Sequence, residues 1–136
     1  MKIVVDTNIL LVSIPPHSKY RPIFDSFSKR NYTLVVTTDI YFEYIEVLEE
    51  LSAKGVVKFI EDALRISRNV LTPDIYYNFN LITVDPDDNK FTDAYIAADA
   101  DYLVTNDAHF NEVKKSLFPP VHIISADDFL EILKAL

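Results

Sequence analysis

The stretch Ile3-Val4-Val5-Asp6-Thr7-Asn8 places an aspartate directly after a run of apolar residues at the start of the chain. The same pattern returns late in the chain as Tyr102-Leu103-Val104-Thr105-Asn106-Asp107. Short, fully apolar runs are typical of strands buried on both faces, and such strands form parallel sheets covered by helices. Ligands of these sheets bind in the crevice beyond the carboxyl ends of the strands. The two stretches therefore predict that carboxylates meet in one crevice, as a site for a divalent metal requires.

The composition indicates a single globular domain, residues 1–136. Hydrophobic residues make up 49% of the chain and aromatic residues 12%, which favours a packed core over disorder. No apolar run approaches the roughly 20 residues that span a bilayer, and the chain enters a predicted strand at once. We therefore expect neither a signal peptide nor a membrane-spanning helix. The absence of cysteine excludes disulfides, thiolate zinc sites and a cysteine nucleophile, and it favours a cytoplasmic protein.

Glycine and histidine narrow the function further. The single glycine, Gly55, excludes a P-loop, a GxGxxG dinucleotide turn and a GxSxG nucleophile elbow, because each needs several glycines for its backbone geometry. The three histidines, at positions 17, 109 and 122, are far apart in the sequence and form no pair with metal-ligand spacing.

The charge balance is acidic, with 13 basic residues against 21 acidic ones and a net charge of −8. Taken alone, this argues against a simple nucleic-acid binder, because phosphate contacts need Lys and Arg. Seven of the fourteen aspartates lie between Asp85 and Asp107. A solvated acidic face accounts for most of them, and a metal site would neutralise others.

Alternating apolar segments predict an α/β fold without internal repeats. The expected architecture is a three-layer α/β/α sandwich with a central, mostly parallel five-stranded sheet and right-handed crossovers. Ser125-Ala126-Asp127-Asp128 is typical of a capping box at the start of the last helix. Strands are predicted at 2–6, 32–37, 80–84, 102–105 and 121–124, and helices near 18–29, 38–51, 53–67, 90–100, 108–117 and 126–135.

Glu43 is the first carboxylate in an unexpected place. It falls among the apolar residues of the helix predicted at 38–51, on the side expected to face the sheet. A carboxylate on a core face costs several kcal/mol unless it is paired or metal-bound, so for a lone glutamate an ion pair or a boundary position is the simpler interpretation. The apolar residues at helical spacing are Ile40, Tyr44, Val47, Leu48 and Leu51.

Asp93 repeats the anomaly in the helix predicted at 90–100. It lies beside the small residues Ala94 and Ala97, which suit close packing on the sheet. The helix dipole favours a negative charge near the first turn and accounts for part of its presence. The N-cap of the helix is expected at one of the preceding residues, Asp85, Asp87, Asp88 or Asn89.

Together, four carboxylates follow the first four predicted strands, one after each: Asp6, Glu43, Asp93 and Asp107. In a parallel sheet these strand ends share one edge, where like charges repel unless a cation or protons neutralise them. A ligand set of oxygen atoms alone selects Mg²⁺ or Mn²⁺, as one or two ions. Such ions support displacement at phosphorus, because they orient the phosphate and neutralise charge on the leaving oxygen.

These motifs resemble the PIN domain, in order and over nearly the whole chain. The resemblance rests on Val5-Asp6-Thr7-Asn8, on Glu43 in a helix after Thr38, on Asp93-Ala94-Tyr95-Ile96-Ala97-Ala98, and on Val104-Thr105-Asn106-Asp107 with Phe110 after it. It is especially close to bacterial and archaeal toxins of toxin–antitoxin pairs. In that group a DPxDN stretch like Asp85-Pro86-Asp87-Asp88-Asn89 precedes the third acidic helix.

The resemblance implies an endoribonuclease that uses Mg²⁺ or Mn²⁺ to cut single-stranded or structured RNA. It implies Asp6, Glu43, Asp93 and Asp107 as the acidic quartet, with Asp88 as a fifth ligand or as a substitute for Asp93. It further implies a cognate antitoxin as partner and a homodimer. Small polar residues are expected to support the carboxylates: Asn8, Thr105, and Asn106, which stands where many relatives have glycine and tolerates the left-handed conformation.

Several alternatives stay open or are excluded by the residues. A PIN-like binding module without turnover would have lost a quartet member, and none is lost here. A housekeeping RNA-processing nuclease fits the same residues as a toxin. A phospho-acceptor receiver domain is excluded, because Asp6 has no adjacent acid and no lysine follows the last predicted strand. The basic residues available for phosphate contacts are Lys19, Arg21, Lys54, Lys90, Lys114 and Lys115, and Tyr41, Phe42, Tyr76 and Tyr77 are available to stack on bases.

Overall fold

In the computed structural model, which describes residues 1–76, 78–82, 86–114 and 120–136, five strands form one sheet. Every pair of neighbouring strands is parallel, and the order is β3-β2-β1-β4-β5. The predicted α/β sandwich with a five-stranded parallel sheet is confirmed. The strands are β1 Lys2–Val5, β2 Thr33–Val35, β3 Val70–Leu71, β4 Tyr102–Val104 and β5 Ile123–Ile124.

Helices connect the strands and cover the sheet. The helix with the most contacts to the central strands packs on β1, β2 and β4 and begins at Asn89. None of the described helices is long and apolar enough to cross a membrane. The helices are α1 Thr7–Ser13, α2 Arg21–Ser28, α3 Thr38–Leu51, α4 Lys54–Ile66, α5 Asn89–Ala98, α6 Asn111–Lys114 and α7 Ala126–Lys134, with short 3₁₀ turns at Pro86–Asp88 and Ala108–Phe110.

The central strands β1 and β4 end directly before the two acidic motifs, Asp6-Thr7-Asn8 and Thr105-Asn106-Asp107. Val5 pairs with Val104 in their parallel register, and the ladder continues one step further because Asp6 N donates to Val104 O at 3.0 Å. The strand residues Val4, Val5 and Val104 are almost completely buried. The carboxyl ends of β1 and β4 therefore lie side by side in the middle of the sheet. From there the chain continues to β2 on one side and to β5 on the other. Ligands of this fold class bind at such a point.

Side-chain caps explain why two helices begin where the sequence predicts. The Thr37 side chain accepts a hydrogen bond from Ile40 N at the start of α3, whose bounds equal the predicted 38–51. The Ser125 hydroxyl accepts from Asp128 N at 3.0 Å and confirms the predicted start of the last helix. Such caps satisfy backbone donors that have no partner within the helix.

The third strand and the first helix differ from prediction. The third strand is Val70–Leu71; of the segment predicted as a strand at 80–84, residues 80–82 lie outside the sheet, and residues 83 and 84 are outside the described part of the chain. The helix α1, which begins directly after Asp6, was not predicted. The two Pro residues that follow it limit it to two turns, too few for a clear helical period.

The side chain of Asn89 explains how Ile82 is buried although it does not belong to a strand. Its side-chain amide accepts from Ile82 N at 2.8 Å and donates to Ile82 O at 3.0 Å. One side chain thus satisfies both backbone groups that a neighbouring strand would otherwise bind. Ile82 is 1% exposed, but the described residues 80–82 belong to no strand, so the strand prediction is wrong for this part of the segment.

Two further expectations change in detail. The helix predicted at 108–117 is a 3₁₀ turn followed by the short α6, and residues 115–117 lie outside the described part of the chain. In α3, Leu51 was expected on the buried side but is 70% exposed. The buried side of that helix is formed by Ile40, Tyr44, Ile45 and Leu48.

Candidate metal centre

Asp6 occupies the innermost position of the site, at the end of β1. Its carboxylate is 5% exposed and accepts a hydrogen bond from the Thr105 hydroxyl at 2.7 Å. The same hydroxyl oxygen accepts from Asp107 N at 3.0 Å. Thr105 therefore joins the carboxylate after β1 to the backbone after β4, and it fixes the position of both acidic residues.

The electrostatic environment identifies the neighbours of Asp6. Burial raises the pKa of the Asp6 carboxyl to about 6, and the hydrogen bond from Thr105 opposes that rise. The negative charges of Asp88, Asp107 and Glu43 contribute to this rise. Like charges at close range disfavour ionisation, so these three carboxylates form one electrostatic group with Asp6.

Glu43 reaches the site from the third helix and lies at its rim. Its side chain is 24% exposed, so it sits at the edge of the buried side of α3, the boundary position that was the simpler expectation. One carboxylate oxygen forms an ion pair with Lys90 Nζ at 2.8 Å, and the other accepts a hydrogen bond from the Thr7 hydroxyl. Residues of α1, α3 and α5 thereby converge on one carboxylate.

Asp88, Asp107 and His109 form the most compact group of potential ligands among the described residues. One ligand atom from each lies within 4.8 Å of the other two. His109 Nδ1 is 3.1 Å from Asp88 Oδ2 and 3.4 Å from Asp107 Oδ1. All three side chains are partly exposed, at 15%, 29% and 39% for Asp88, Asp107 and His109, so the group is accessible from solvent.

Asp93 is held by a different contact. Its carboxylate is buried, with 6% of the residue exposed, and accepts from Phe79 N at 3.0 Å. Burial raises the pKa of this carboxyl, and the bond from Phe79 opposes the rise. Asp93 lines a cavity of about 330 Å³, together with Asp39, Asn78, Asn80, Pro86, Asp87, Asn89 and Lys90.

The three residues expected to support the carboxylates, Asn8, Thr105 and Asn106, differ in their surroundings. Asn8 is exposed on α1, and Thr105 makes the hydrogen bond to Asp6. Asn106 Oδ1 accepts from Ala126 N at 3.0 Å, so this side chain ties the end of β4 to the start of α7. Among the described non-glycine residues, positive φ angles occur at Arg30, Asn80 and Asp99, so Asn106 does not use the left-handed conformation that was expected to accommodate it.

Three contacts of the carboxylates were not predicted from the sequence. Thr7 contacts Glu43, His109 lies beside Asp88 and Asp107, and Lys90 pairs with Glu43. Thr7 and His109 are direct sequence neighbours of predicted acids, one residue after Asp6 and two after Asp107. The 3₁₀ turn that begins after Asp107 brings the His109 ring back toward the carboxylate. That turn was predicted as the start of a long helix, in which residues two apart do not face each other.

The donor set suits a divalent cation. Asp6, Glu43, Asp88 and Asp107 offer carboxylate oxygens at the edge where the strands end, and their mutual repulsion contributes to the raised pKa of Asp6. A cation would relieve this repulsion. The ligand chemistry of the carboxylates fits Mg²⁺ or Mn²⁺.

Comparison with known proteins gives a family match. Residues 2–109 match the sequence model of the PIN domain, and no curated protein sequence matches the chain. Among solved structures, the crystal structure of VapBC2 from Rickettsia felis, bound to a DNA fragment from their promoter, is similar with a TM-score of 0.65. The similarity covers 92% of this chain and 98% of that chain at 17% identity, and it shows a common fold.

Proposed function

The chain belongs to the PIN domain family, and from this membership together with the site geometry we propose that it is a divalent-metal-dependent endoribonuclease. The observation that carries the proposal is the convergence of four carboxylates, Asp6, Glu43, Asp88 and Asp107, which contacts of Thr7, Thr105 and His109 join beyond the carboxyl ends of β1 and β4. We infer that residues 1–136 act as one nuclease domain. Its reaction is the hydrolysis of RNA phosphodiester bonds.

The metal is Mg²⁺ or Mn²⁺, as one or two ions, and these four carboxylates hold it. When bound, it orients a phosphate and stabilises the negative charge that develops during displacement at phosphorus. Asp88 takes the place that the family resemblance first assigned to Asp93. The argument is geometric, because Asp88 Oδ2 and Asp107 Oδ1 both lie beside His109 Nδ1, whereas the Asp93 carboxylate accepts a hydrogen bond from Phe79 N.

The chain's own residues pre-position the carboxylates. Thr105 holds Asp6, Thr7 holds Glu43, and His109 N donates to Asp107 Oδ1 at 2.9 Å. These bonds restrict the side chains before any ligand arrives, so little reorganisation is left for the reaction itself. The positions of the carboxylates are thus fixed by hydrogen bonds within the protein.

Lys90 supplies positive charge to an otherwise acidic edge. Its ammonium group contacts Glu43 Oε1 and its side chain is 20% exposed. A substrate phosphate that enters the site meets this charge at the rim. The net charge of −8 opposes RNA binding elsewhere, so local cations at the site carry a large share of the attraction.

A protein partner is the second part of the proposal. The similarity to VapBC2 supports a toxin of a toxin–antitoxin pair with a cognate antitoxin, and the family resemblance adds a homodimer. An apolar groove of about 530 Å³ is available for such contacts, and Phe59 in it is 53% exposed. Exposed apolar surface of this kind is typical of interaction sites. The groove is lined mainly by Leu11, Ile14, Pro15, Pro16, Val56 and Phe59.

The test is cleavage of a labelled mixed-sequence RNA by the purified protein with Mn²⁺, Mg²⁺ or EDTA. We expect metal-dependent cutting that falls about a hundredfold or more in Asp6→Asn. The matched control is Asp99→Asn, which makes the same chemical change on an exposed residue whose left-handed backbone asparagine tolerates. If both variants cut like the wild type, the site is not the catalytic one.

The same experiment separates the nuclease from a PIN-like binding module. A module would bind RNA without cutting it under any metal condition. If the protein neither cuts RNA nor binds Mn²⁺ in calorimetry, the nuclease proposal fails. Induced expression in a bacterial host separates a toxin from a housekeeping nuclease, since only a toxin is expected to arrest growth in a manner that Asp6→Asn abolishes.

A further inference from the structure

The imidazole of His109 lies between two carboxylates of the site. Its Nδ1 atom is 3.1 Å from Asp88 Oδ2 and 3.4 Å from Asp107 Oδ1. The three ligand atoms lie within 4.8 Å of one another. Two elements distant in sequence, the turn at Pro86–Asp88 and the turn at Ala108–Phe110, bring these groups together.

The two separations from His109 Nδ1 are close to those of neighbouring ligands in an octahedral metal site. With metal–ligand bonds of about 2.1 Å at right angles, neighbouring ligand atoms lie about 3.0 Å apart. The two distances from His109 Nδ1 are close to that edge length. The imidazole nitrogen therefore occupies a position that a third ligand would take beside Asp88 and Asp107.

The backbone around His109 holds the ring in this place. His109 N donates to Asp107 Oδ1, which ties the residue to the carboxylate it faces. The next residue, Phe110, is completely buried and makes an edge contact with Phe91 of α5, with ring centroids 6.4 Å apart. The histidine thus extends from an anchored turn, and its position does not depend on a flexible arm.

We propose that His109 Nδ1 is a ligand of the divalent metal, between Asp88 and Asp107, and that the site consequently prefers Mn²⁺ to Mg²⁺. This inference rests on the proposed function. Mg²⁺ is a hard cation that takes oxygen ligands, whereas first-row transition ions accept imidazole nitrogen, and Mn²⁺ among them also suits carboxylates. One nitrogen in an oxygen site therefore shifts the preference toward the transition ion.

The competing explanation is an ion pair, in which a protonated His109 neutralises two carboxylates and leaves when a metal binds. Both explanations account for the distances, but they differ in what the bound metal touches. In the ion pair the metal has only oxygen ligands, and removing the imidazole strengthens metal binding or leaves it unchanged. In the ligand arrangement removing it weakens Mn²⁺ binding more than Mg²⁺ binding.

The first measurement is pulsed electron paramagnetic resonance of Mn²⁺ bound to the full chain, which detects nitrogen directly coordinated to the ion. We expect an imidazole nitrogen signal in the wild type and in His17→Asn, and no such signal in His109→Ala. His17 is exposed and serves as the matched histidine control. A wild-type signal from oxygen ligands alone overturns the inference, whatever the variant does.

The second measurement is calorimetry with Mn²⁺ and Mg²⁺ on the same proteins, with circular dichroism to confirm the fold. We expect His109→Ala to weaken Mn²⁺ binding by about tenfold or more and Mg²⁺ binding by clearly less. An unchanged Mn²⁺/Mg²⁺ ratio overturns the inference and leaves the nuclease intact, provided that Asp6→Asn still abolishes metal binding. Wild-type protein that binds neither ion overturns both.

Discussion

The buried negative charge of Asp6 destabilises the folded protein. In the folded protein the pKa of its carboxyl rises from 3.8 to about 6, so between these pH values the folded state binds more protons than the unfolded state. Stability therefore falls as pH rises through this range and stays low above it. A shift of this size corresponds to as much as about 3 kcal/mol, which a bound cation would offset.

The substitution Asp6→Asn removes this charge and keeps the shape and the acceptor for Thr105. In EDTA we expect it to stabilise the protein by about 1–3 kcal/mol at pH 7.5, with the gain disappearing near pH 4. Urea unfolding at the two pH values measures the effect, and Asp99→Asn is the surface control. A variant that is less stable than wild type at pH 7.5 would show that the buried charge does not oppose folding.

Asp88 and Asp93 offer a second comparison at the scale of single residues. Asp88 lies near Asp107 and His109, while the Asp93 carboxylate accepts a hydrogen bond from Phe79 N. We expect Asp88→Asn to lose Mn²⁺ binding and about a hundredfold or more of the cleavage rate. Asp93→Asn, which keeps an acceptor for Phe79 N, should leave Mn²⁺ binding within about threefold of wild type. Calorimetry decides between them, and the reverse result would restore Asp93 to the quartet.

The limits of prediction at this scale have a clear cause. Asp6, Glu43 and Asp107 could be proposed as site residues because each is a carboxylate in or beside an apolar stretch, where a charge is costly unless it is paired or metal-bound. The choice between Asp88 and Asp93 could not be made, since both lie near the start of one helix and only its rotation decides which carboxylate faces Asp6. His109 was missed because its position depends on a turn that the pattern did not reveal.

Among the elements, the segment before α5 is held by the side chain of Asn89 and not by strand pairing. Asn89, which is 7% exposed, binds both backbone groups of Ile82 and so fixes the chain next to Asp88. We expect Asn89→Ala to destabilise the protein by about 2–4 kcal/mol, because it leaves buried donor and acceptor groups without partners. Asn78→Ala, at an exposed position, should have a small effect. Thermal unfolding measures both, and equal effects would contradict this role of Asn89.

Length alone did not decide which elements were predictable, since β2, β4 and the two-residue β5 lie within predicted strands whereas β3 does not. The helix α3 has fourteen residues and shows its period and its cap, so its bounds were predicted. The strand β3 has two residues, too few for any periodicity, and it is defined by pairing with β2, where Val36 N donates to Leu71 O at 2.9 Å. Such tertiary pairing is not visible in a local pattern, and the longer apolar run near Ile82 was mistaken for the strand.

At the scale of the whole molecule, the fold brings acidic side chains together at one edge of the sheet. The chain carries a net charge of −8, and the strand order brings acids from four distant segments to the end of the central strands. The fold class was predictable because buried parallel strands have a distinct composition. The strand order was not, and it is the order that decides which acids become neighbours.

Metal binding should therefore stabilise the whole molecule, and more at high pH than at low pH. A ligand that binds only the folded state at a hundred times its dissociation constant contributes about 2.7 kcal/mol. Because the pKa of Asp6 is raised to about 6, only about a tenth of this carboxyl is ionised at pH 5, and Mn²⁺ must displace its proton. We expect Mn²⁺ affinity to be about tenfold weaker at pH 5 than at pH 7.5, with a correspondingly smaller rise in melting temperature. Asp6→Asn should show no comparable rise at either pH. Equal stabilisation of wild type at both pH values would mean that the ion is held without Asp6, by the more exposed carboxylates alone.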